Sequence, residues 1–347
     1  MKNHPVKIGI IGLGRAGWGM HCCELDNFKD KFQIVAGCDI VQDFRKRFVE
    51  KYGCKAYKRV EDLINDPDVE LVDIASRSKD HVEHAIMALK ANKYVFLEKP
   101  LATSYSEALK IDRLPASQKK KLFIRHNRRF DPAFQHIREI IASGILGQVF
   151  EIKLRRNNYQ RRNDWQTLKK YGGGLLLNWG PHIVDHALRF LDSPVKEMWS
   201  DLKKIAAAGD AEDHIHIILK GKNQMVVDLE ISGGAAISES EYLVLGSKGA
   251  LECTGNEIKL RYLDPSVPLR ELKANPGTPG VGFISPEKLV WIEKTIPVNP
   301  ELKVEMHFIW DYLYEAIRNK KPFPVKWKQA LEVMRIISAA KKGTKFS

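Results

Sequence analysis

Short apolar runs and polar, helix-periodic segments alternate through the first 125 residues. The runs are Lys7–Gly12 (KIGIIG), Phe32–Asp39 (FQIVAGCD), Val69–Ser76 (VELVDIAS), Tyr94–Glu98 (YVFLE) and Lys121–His126 (KLFIRH). They are mostly apolar without strict alternation, as expected of strands buried on both faces. Between them the spacing predicts helices over Ala16–Leu25, Asp43–Tyr52, His81–Asn92 and Ser104–Leu114. Gly53 stands where a helix end calls for left-handed backbone. A short strand and helix are expected in AYKRVEDLIND, from Ala56 to Asp66. Single helices between successive strands predict right-handed βαβ units and a parallel sheet.

After Phe130 the period changes. A helix is predicted over Ala133–Ser143, and Gly147–Tyr159 (GQVFEIKLRRNNY) alternates with period two. A second helix starts near Pro181. From Val195 to Leu260 one strand follows another across short turns, as in HIHIILKGK, QMVVDLEISGG and EYLVLGSKGALECTG. Short turns join antiparallel strands only. Residues 264–300 are rich in Pro and Gly and read as an irregular excursion. Amphipathic helices are expected near Val304–Asn319 and Lys328–Lys341. The chain therefore divides into an α/β unit over residues 1–125 and an α+β unit over 126–347. The second unit has a large, mostly antiparallel sheet covered by helices on one face. The other face, assigned Val226, Leu229 and their neighbours, would need a cover, and a partner sheet in a homodimer or homotetramer supplies one.

Composition narrows the class. At 347 residues, 44% hydrophobic and 29% charged, the chain has the makeup of an ordinary globular protein. No apolar run approaches the roughly 20 residues that span a bilayer, and the start, MKNHPVKIGIIG, has no small-residue cleavage site before its first strand. Five cysteines without a CxxC pair fit reduced thiols and a cytoplasmic location. The net charge of +13 is spread along the chain, with no nucleic-acid recognition motif. It leaves room for an anionic small substrate.

Gly12-Leu13-Gly14-Arg15-Ala16-Gly17 is a GxGxxG between a strand and a helix, the context in which such a motif binds a dinucleotide. Gly12 permits the tight turn, Gly14 lets the backbone approach a pyrophosphate, and Gly17 allows close helix–strand packing. The phosphates would lie over the helix N-terminus, beside Arg15 and Ala16. Asp39, about 20 residues on, ends the second strand where a carboxylate accepts hydrogen bonds from ribose hydroxyls. It would repel a 2′-phosphate, and Arg45 lies further along the next helix, so NAD is expected rather than NADP.

Five stretches, GLGRAG (12–17), LEKPLA (97–102), RFDP (129–132), GGGLLLNWGPHIVDHALRFL (172–191) and AIRNKKPFPV (316–325), stand in both halves of the chain. Together they resemble the Gfo/Idh/MocA family of glucose–fructose oxidoreductase and inositol dehydrogenase relatives. The resemblance implies a Rossmann domain, a substrate and oligomerisation domain, and an active site between them. By motif match, Lys99 of EKP and His182 face the nicotinamide. The implied reaction is hydride transfer from a secondary alcohol of a sugar or cyclitol. His182 would be the general base and Lys99 would stabilise the alkoxide. In open parallel sheets ligands bind at the carboxyl ends of the strands, where Lys99 stands.

Further expectations attach to this site. Glu98 can orient nearby groups, and Ser76 and His81 border the cofactor, His81 as a cover or a helix cap. Arg161, Arg162 and Trp165 can reach toward the cleft and bind an acidic or phosphorylated sugar, or form a basic loop. On the helix after Pro181, His182, Asp185, His186 and Arg189 share a polar face that solvent could also occupy. His182 and His186 have a spacing that can ligate a metal, but no third ligand segment is evident, and none is expected. Two departures from the family pattern bear on the substrate. Asn178 stands where many members have an aspartate, and SRSKDH (76–81) replaces the usual Thr-Pro-Asn. Two other classes stay open: a non-catalytic dinucleotide- or sugar-sensing regulator, and a glycosidase with tightly held NAD.

Overall fold

The computed structural model describes residues 4–274, 276–278, 287–298 and 305–347. Six strands form the first sheet: Val6–Ile11 (β1), Phe32–Cys38 (β2), Lys55–Tyr57 (β3), Leu71–Ile74 (β4), Tyr94–Leu97 (β5) and Leu122–Ile124 (β6). All pair in parallel, in the order β3-β2-β1-β4-β5-β6. This is the doubly wound arrangement whose order reverses beside β1, with a crevice at the strand carboxyl ends. All four residues of β4 are buried, as its apolar run requires. The helix ending at Tyr52 stops at Gly53, which has φ +62°.

The second sheet holds Val149–Asn157 (β7), Val195–Lys203 (β8), His214–Gly221 (β9), Val226–Ser232 (β10), Tyr242–Gly246 (β11), Gly249–Thr254 (β12), Glu257–Leu263 (β13) and Trp291–Pro297 (β14), in the order β14-β13-β12-β11-β7-β10-β9-β8. Two features depart from the sequence reading. β14 lies within the stretch expected to be irregular and pairs antiparallel with β13; its apolar residues Trp291, Ile292 and Ile296 are three of seven and do not alternate, so they do not stand out. And β7 pairs with β10 in parallel, because the chain between them is long enough to cross over. Residues 299–304, where the penultimate helix was expected to begin, lie outside the described residues; that helix covers Ile309–Arg318.

The helices Gly180–Leu191 and Trp327–Lys341 cover one face of this sheet. Val184, Leu188, Val333 and Ile337 share a core with Ile217, Leu219, Val227, Leu229 and Ile231. The expectation that Leu229 lies on the uncovered face with Val226 is corrected. The two are three residues apart and so point to opposite faces, and Leu229 is fully buried under the helices. The open face is polar: Arg155 pairs with Asp228 at 2.9 Å, His216 contacts Asp228 at 2.7 Å, and Asn157 donates to Glu230 at 2.9 Å.

The helix Ile309–Arg318 returns to the first sheet. Its apolar stripe, Ile309, Trp310, Leu313, Tyr314 and Ile317, is buried with Val6, Ile8, Phe32 and Phe96. Trp310 lies edge-on to Phe96 at 4.9 Å and to Phe32 at 5.5 Å. Among the described residues no helix is long and apolar enough to cross a membrane.

Candidate active site

The glycine turn after β1 has the shape a pyrophosphate needs. Gly12 has φ +92°, and a Cβ there would meet the Ala75 carbonyl oxygen at 2.6 Å; a Cβ on Gly17 would meet the Gly12 oxygen at 1.8 Å. Those two glycines are required by close packing. Gly14 has nothing within 4 Å of its Cβ position, so the chain leaves open space above the backbone where a phosphate approaches. Asp39 accepts Leu13 N–H on Oδ2 and Val41 N–H on Oδ1, both at 2.8 Å, which fixes its carboxylate beside the turn. Arg45 is nearer than its place in the helix suggested. Its guanidinium reaches back one helical turn to the Asp39 carbonyl at 2.7 Å.

Ser76 and His81 lie beside this crevice. The Ser76 hydroxyl meets His84 Nδ1 at 3.0 Å. His81 is buried, with Nδ1 2.7 Å from the Pro100 carbonyl and Nε2 3.0 Å from the Ser76 carbonyl. It thereby joins the segment after β4 to the segment after β5.

Lys99 follows β5 directly. Its ammonium donates to the Asn178 carbonyl at 3.0 Å, across the gap between the two sheets. Burial draws its pKa below the ordinary lysine value, against the pull of Glu98, and the charges of Arg125, Arg128 and Arg15 act in the same direction as burial. Glu98 is also buried. Its Oε2 accepts the Lys99 backbone N–H at 2.7 Å, and its Oε1 meets Arg125 Nη1 at 2.9 Å and His21 Nε2 at 3.1 Å. Burial opposes ionisation there, but His21, Arg125 and Lys99 outweigh it and hold the carboxyl well below the usual range.

The segment before His182 is shaped by glycine. Gly172 and Gly174 have φ +74° and +108°; a Cβ on Gly172 would meet Thr103 of the first unit at 2.9 Å, and one on Gly174 would strike the Glu212 carboxylate. The helix that follows is buried along nearly its whole length. Its polar face is not solvated: Asp185 and His186 are each 1% exposed. Asp185 takes a two-pronged ion pair from Arg129 at 2.6 Å on each oxygen. His186 Nε2 lies 2.8 Å from the Arg128 carbonyl, and its ring stacks on Phe134 at 3.9 Å.

His182, by contrast, has a buried Nδ1 without a hydrogen-bond partner among the described residues. Burial lowers its pKa far below the ordinary histidine value, and the charges of Lys99 and Arg128 lower it further. The ring is therefore neutral near pH 7 and able to accept a proton. A second buried imidazole, His126, stands two residues beyond the Leu97–Ile124 pair that ends the β5–β6 register, and burial pushes its pKa down to about 4.

Asn178 gives its backbone oxygen to Lys99, and its side-chain amide donates to Gln166 at 3.2 Å. Gln166 also accepts from Arg162, which pairs with Asp164 at 2.8 Å. Arg162 thus joins the site through two amides. Arg161 is exposed, and Trp165 is half-buried at the start of the next turn. The sequence reading missed Trp179, which lies 5.9 Å from the His182 ring and is stacked by the guanidinium groups of Arg128 at 4.6 Å and Arg156 at 4.3 Å. It also missed the group of His21, Asp73 and Arg125, all buried, with the partly exposed Glu24. The available signal was there: Asp73 and Arg125 each place a charge inside an apolar strand run. Among the described residues no cluster of three or more His, Cys, Asp or Glu side chains is arranged to hold a metal ion.

A glycine turn with an acid after β2, at the crevice of a doubly wound sheet, defines a dinucleotide-binding domain. Residues 6–126 match the NAD-binding Rossmann fold of an oxidoreductase family, and residues 134–252 match the GFO/IDH/MocA C-terminal domain. The chain belongs to the Gfo/Idh/MocA family. It is 33% identical over 247 residues to the oxidoreductase YdgJ of Escherichia coli, covering 71% of this chain and 70% of that one. It is 31% identical over 257 residues to a myo-inositol 2-dehydrogenase of Thermotoga maritima, covering 71% and 74%. The scyllo-inositol 2-dehydrogenase (NADP(+)) IolW of Bacillus subtilis is 25% identical over 357 residues, covering 99% and 95%. Among solved structures, an NAD-binding protein from Listeria innocua superposes with a TM-score of 0.82 over 99% of this chain and 98% of that one, at 23% identity, and so shares the fold.

Proposed function

We propose that the protein is a dehydrogenase that oxidises a secondary alcohol of a sugar or cyclitol with NAD. One observation carries the reading: an ammonium, Lys99, and a neutral imidazole, His182, stand together at the carboxyl edge of the parallel sheet. When bound, the nicotinamide supplies the hydride acceptor. Gly12, Gly14, Arg15, Ala16 and Gly17 would hold the phosphates, and Asp39 the ribose. His182 takes the hydroxyl proton, and Lys99 turns from the Asn178 carbonyl to the developing alkoxide. Burial keeps the base unprotonated and strengthens the donor's field. Asn178 orients the substrate; its amide cannot accept a proton.

The inositol dehydrogenases among the relatives support a polyol substrate. Arg128 and Arg156 on Trp179, with Arg162 and Trp165 nearby, favour a polyol that also bears an anionic group. Use of NADP is the second reading, favoured by Arg45 beside Asp39 and by the cofactor of IolW. We place the activity in a homo-oligomer in the cytoplasm. The test is a panel of cyclitols, neutral sugars and sugar acids followed by NADH absorbance. Turnover with a member of the panel supports the proposal. Binding without turnover would instead make the protein a sensor.

A further inference from the structure

Beneath the Lys99 turn lies a set of buried charges that alcohol oxidation does not call on. His21, on the helix that opens at Gly17, is fully buried between two carboxylates. Its Nδ1 is 2.7 Å from Asp73 Oδ2, and its Nε2 is 3.1 Å from Glu98 Oε1. A carboxylate only accepts, and a neutral imidazole has one N–H to give; only the imidazolium donates to both. Arg125 donates to the same Glu98 oxygen at 2.9 Å and to the Glu24 carboxylate at 2.6 and 2.7 Å. Trp310, on the returning helix, lies edge-on to the His21 ring at 5.8 Å and donates its indole N–H to Glu24 at 2.5 Å. Three carboxylates, Asp73, Glu98 and Glu24, thus face Arg125, Lys99 and His21. The set is electrically balanced only if His21 is charged. Burial and the Arg125 charge lower the His21 pKa, yet the Asp73 carboxylate and the hydrogen bonds to Asp73 and Glu98 together outweigh them, and the ring is raised to about 9.

We propose that His21 is a positioning residue for Lys99: as an imidazolium it engages Glu98 Oε1 together with Arg125, while Oε2 holds the Lys99 backbone N–H. The carboxylate next to Lys99 then carries three donors, two on Oε1 and one on Oε2, and these compete with the Lys99 ammonium for it. The ammonium turns instead to the Asn178 carbonyl, at the mouth of the crevice. The proposal rests on the reading of Lys99 as the donor to the alkoxide.

The experiment uses the full chain labelled with 15N at histidine and lysine. At neutral pH both ring nitrogens of His21 are expected to bear protons and to keep them until the pH is raised toward 9. In His21→Gln, Glu98 loses the imidazolium and keeps Arg125 on Oε1, so it attracts the Lys99 ammonium more strongly and Lys99 releases its proton at higher pH than in the wild type. Turnover falls on the order of ten- to a hundredfold, while NADH affinity is unchanged. A neutral His21 ring in the wild type overturns the proposal, and so does an unmoved Lys99 titration in the variant. The wild-type ring measurement decides the matter if His21→Gln does not fold. A wild type that oxidises no polyol defeats the proposed function alone, because the two titrations are read without turnover.

Discussion

The Lys99 ammonium and the Asn178 backbone oxygen meet at 3.0 Å, and through that contact the end of the parallel sheet touches the segment that leads into His182. Donor and base come from different halves of the chain, and this hydrogen bond is one of the contacts that join them. Lys99→Met and His182→Ala are each expected to lower kcat by about a hundredfold or more. NAD affinity should hold, since neither side chain is needed for the pyrophosphate or the adenosine ribose. The double variant should lose less than the product of the two, because both act on one proton transfer. Steady-state rates and calorimetric titration with NAD check this; an unchanged rate in Lys99→Met would make the lysine a turn residue.

Asp39→Ala should weaken NAD binding and narrow its advantage over NADP. The ribose loses an acceptor, a 2′-phosphate loses a repelling charge, and Arg45 remains beside the site. Titration of both cofactors decides it, and tighter binding of NADP than NAD by the wild type would reverse the assignment.

Arg129 and Asp185 form a buried two-pronged pair. Arg129 also reaches Gln329 at 2.6 Å and the Pro324 carbonyl at 3.1 Å, so it ties the His182 helix to the C-terminal helix. Arg129→Met should cost about 3–5 kcal/mol by stranding a buried carboxylate. Adding Asp185→Leu should restore much of that loss. Urea unfolding of the single and double variants reads the difference.

The His21 ring gives stability a sign with pH. Its folded pKa is raised from 6.5 to about 9. Its contribution is therefore complete below pH 6.5 and is lost as the pH rises through about 9. The shift corresponds to about 3 kcal/mol. Wild-type unfolding free energy should fall across that window relative to His21→Gln, and parallel curves for the two proteins would contradict it.

The open face of the second sheet exposes Trp199, 51% accessible, near one edge and Trp291, 38% accessible, at the other, across a polar centre. We expect this face to pair with a second copy. Light scattering at micromolar concentration should show a dimer or tetramer, and the 39.6 kDa monomer alone would refute it.

The first sheet was legible because its strands are buried on both faces, and such runs stand out from the helices between them. The glycine turn was legible because it is local. β14 was hidden because, at a sheet edge, it needs few apolar residues. The pattern around His182 misled in one respect. A polar helix face normally meets water, but here Arg129 and the Arg128 carbonyl supply partners that are more than 50 positions away in sequence. The same distance hid the His21 clamp: Asp73, Glu98 and Arg125 come together only because β4, β5 and β6 lie side by side. Trp179 drew no notice, since an indole gains meaning here only from the guanidinium groups that stack on it.

The return of Ile309–Arg318 to the first sheet orders events during synthesis. When the ribosome has made the first 125 residues, Phe32 and Phe96 have no Trp310 to cover them, and Glu24 lacks its indole donor. The nucleotide-binding half is thus the first to emerge and the last to be completed. A chain stopped before Ile309 would present an uncovered aromatic face to the cell's chaperones and proteases. Only a chain made through Arg318 carries the stripe that closes it.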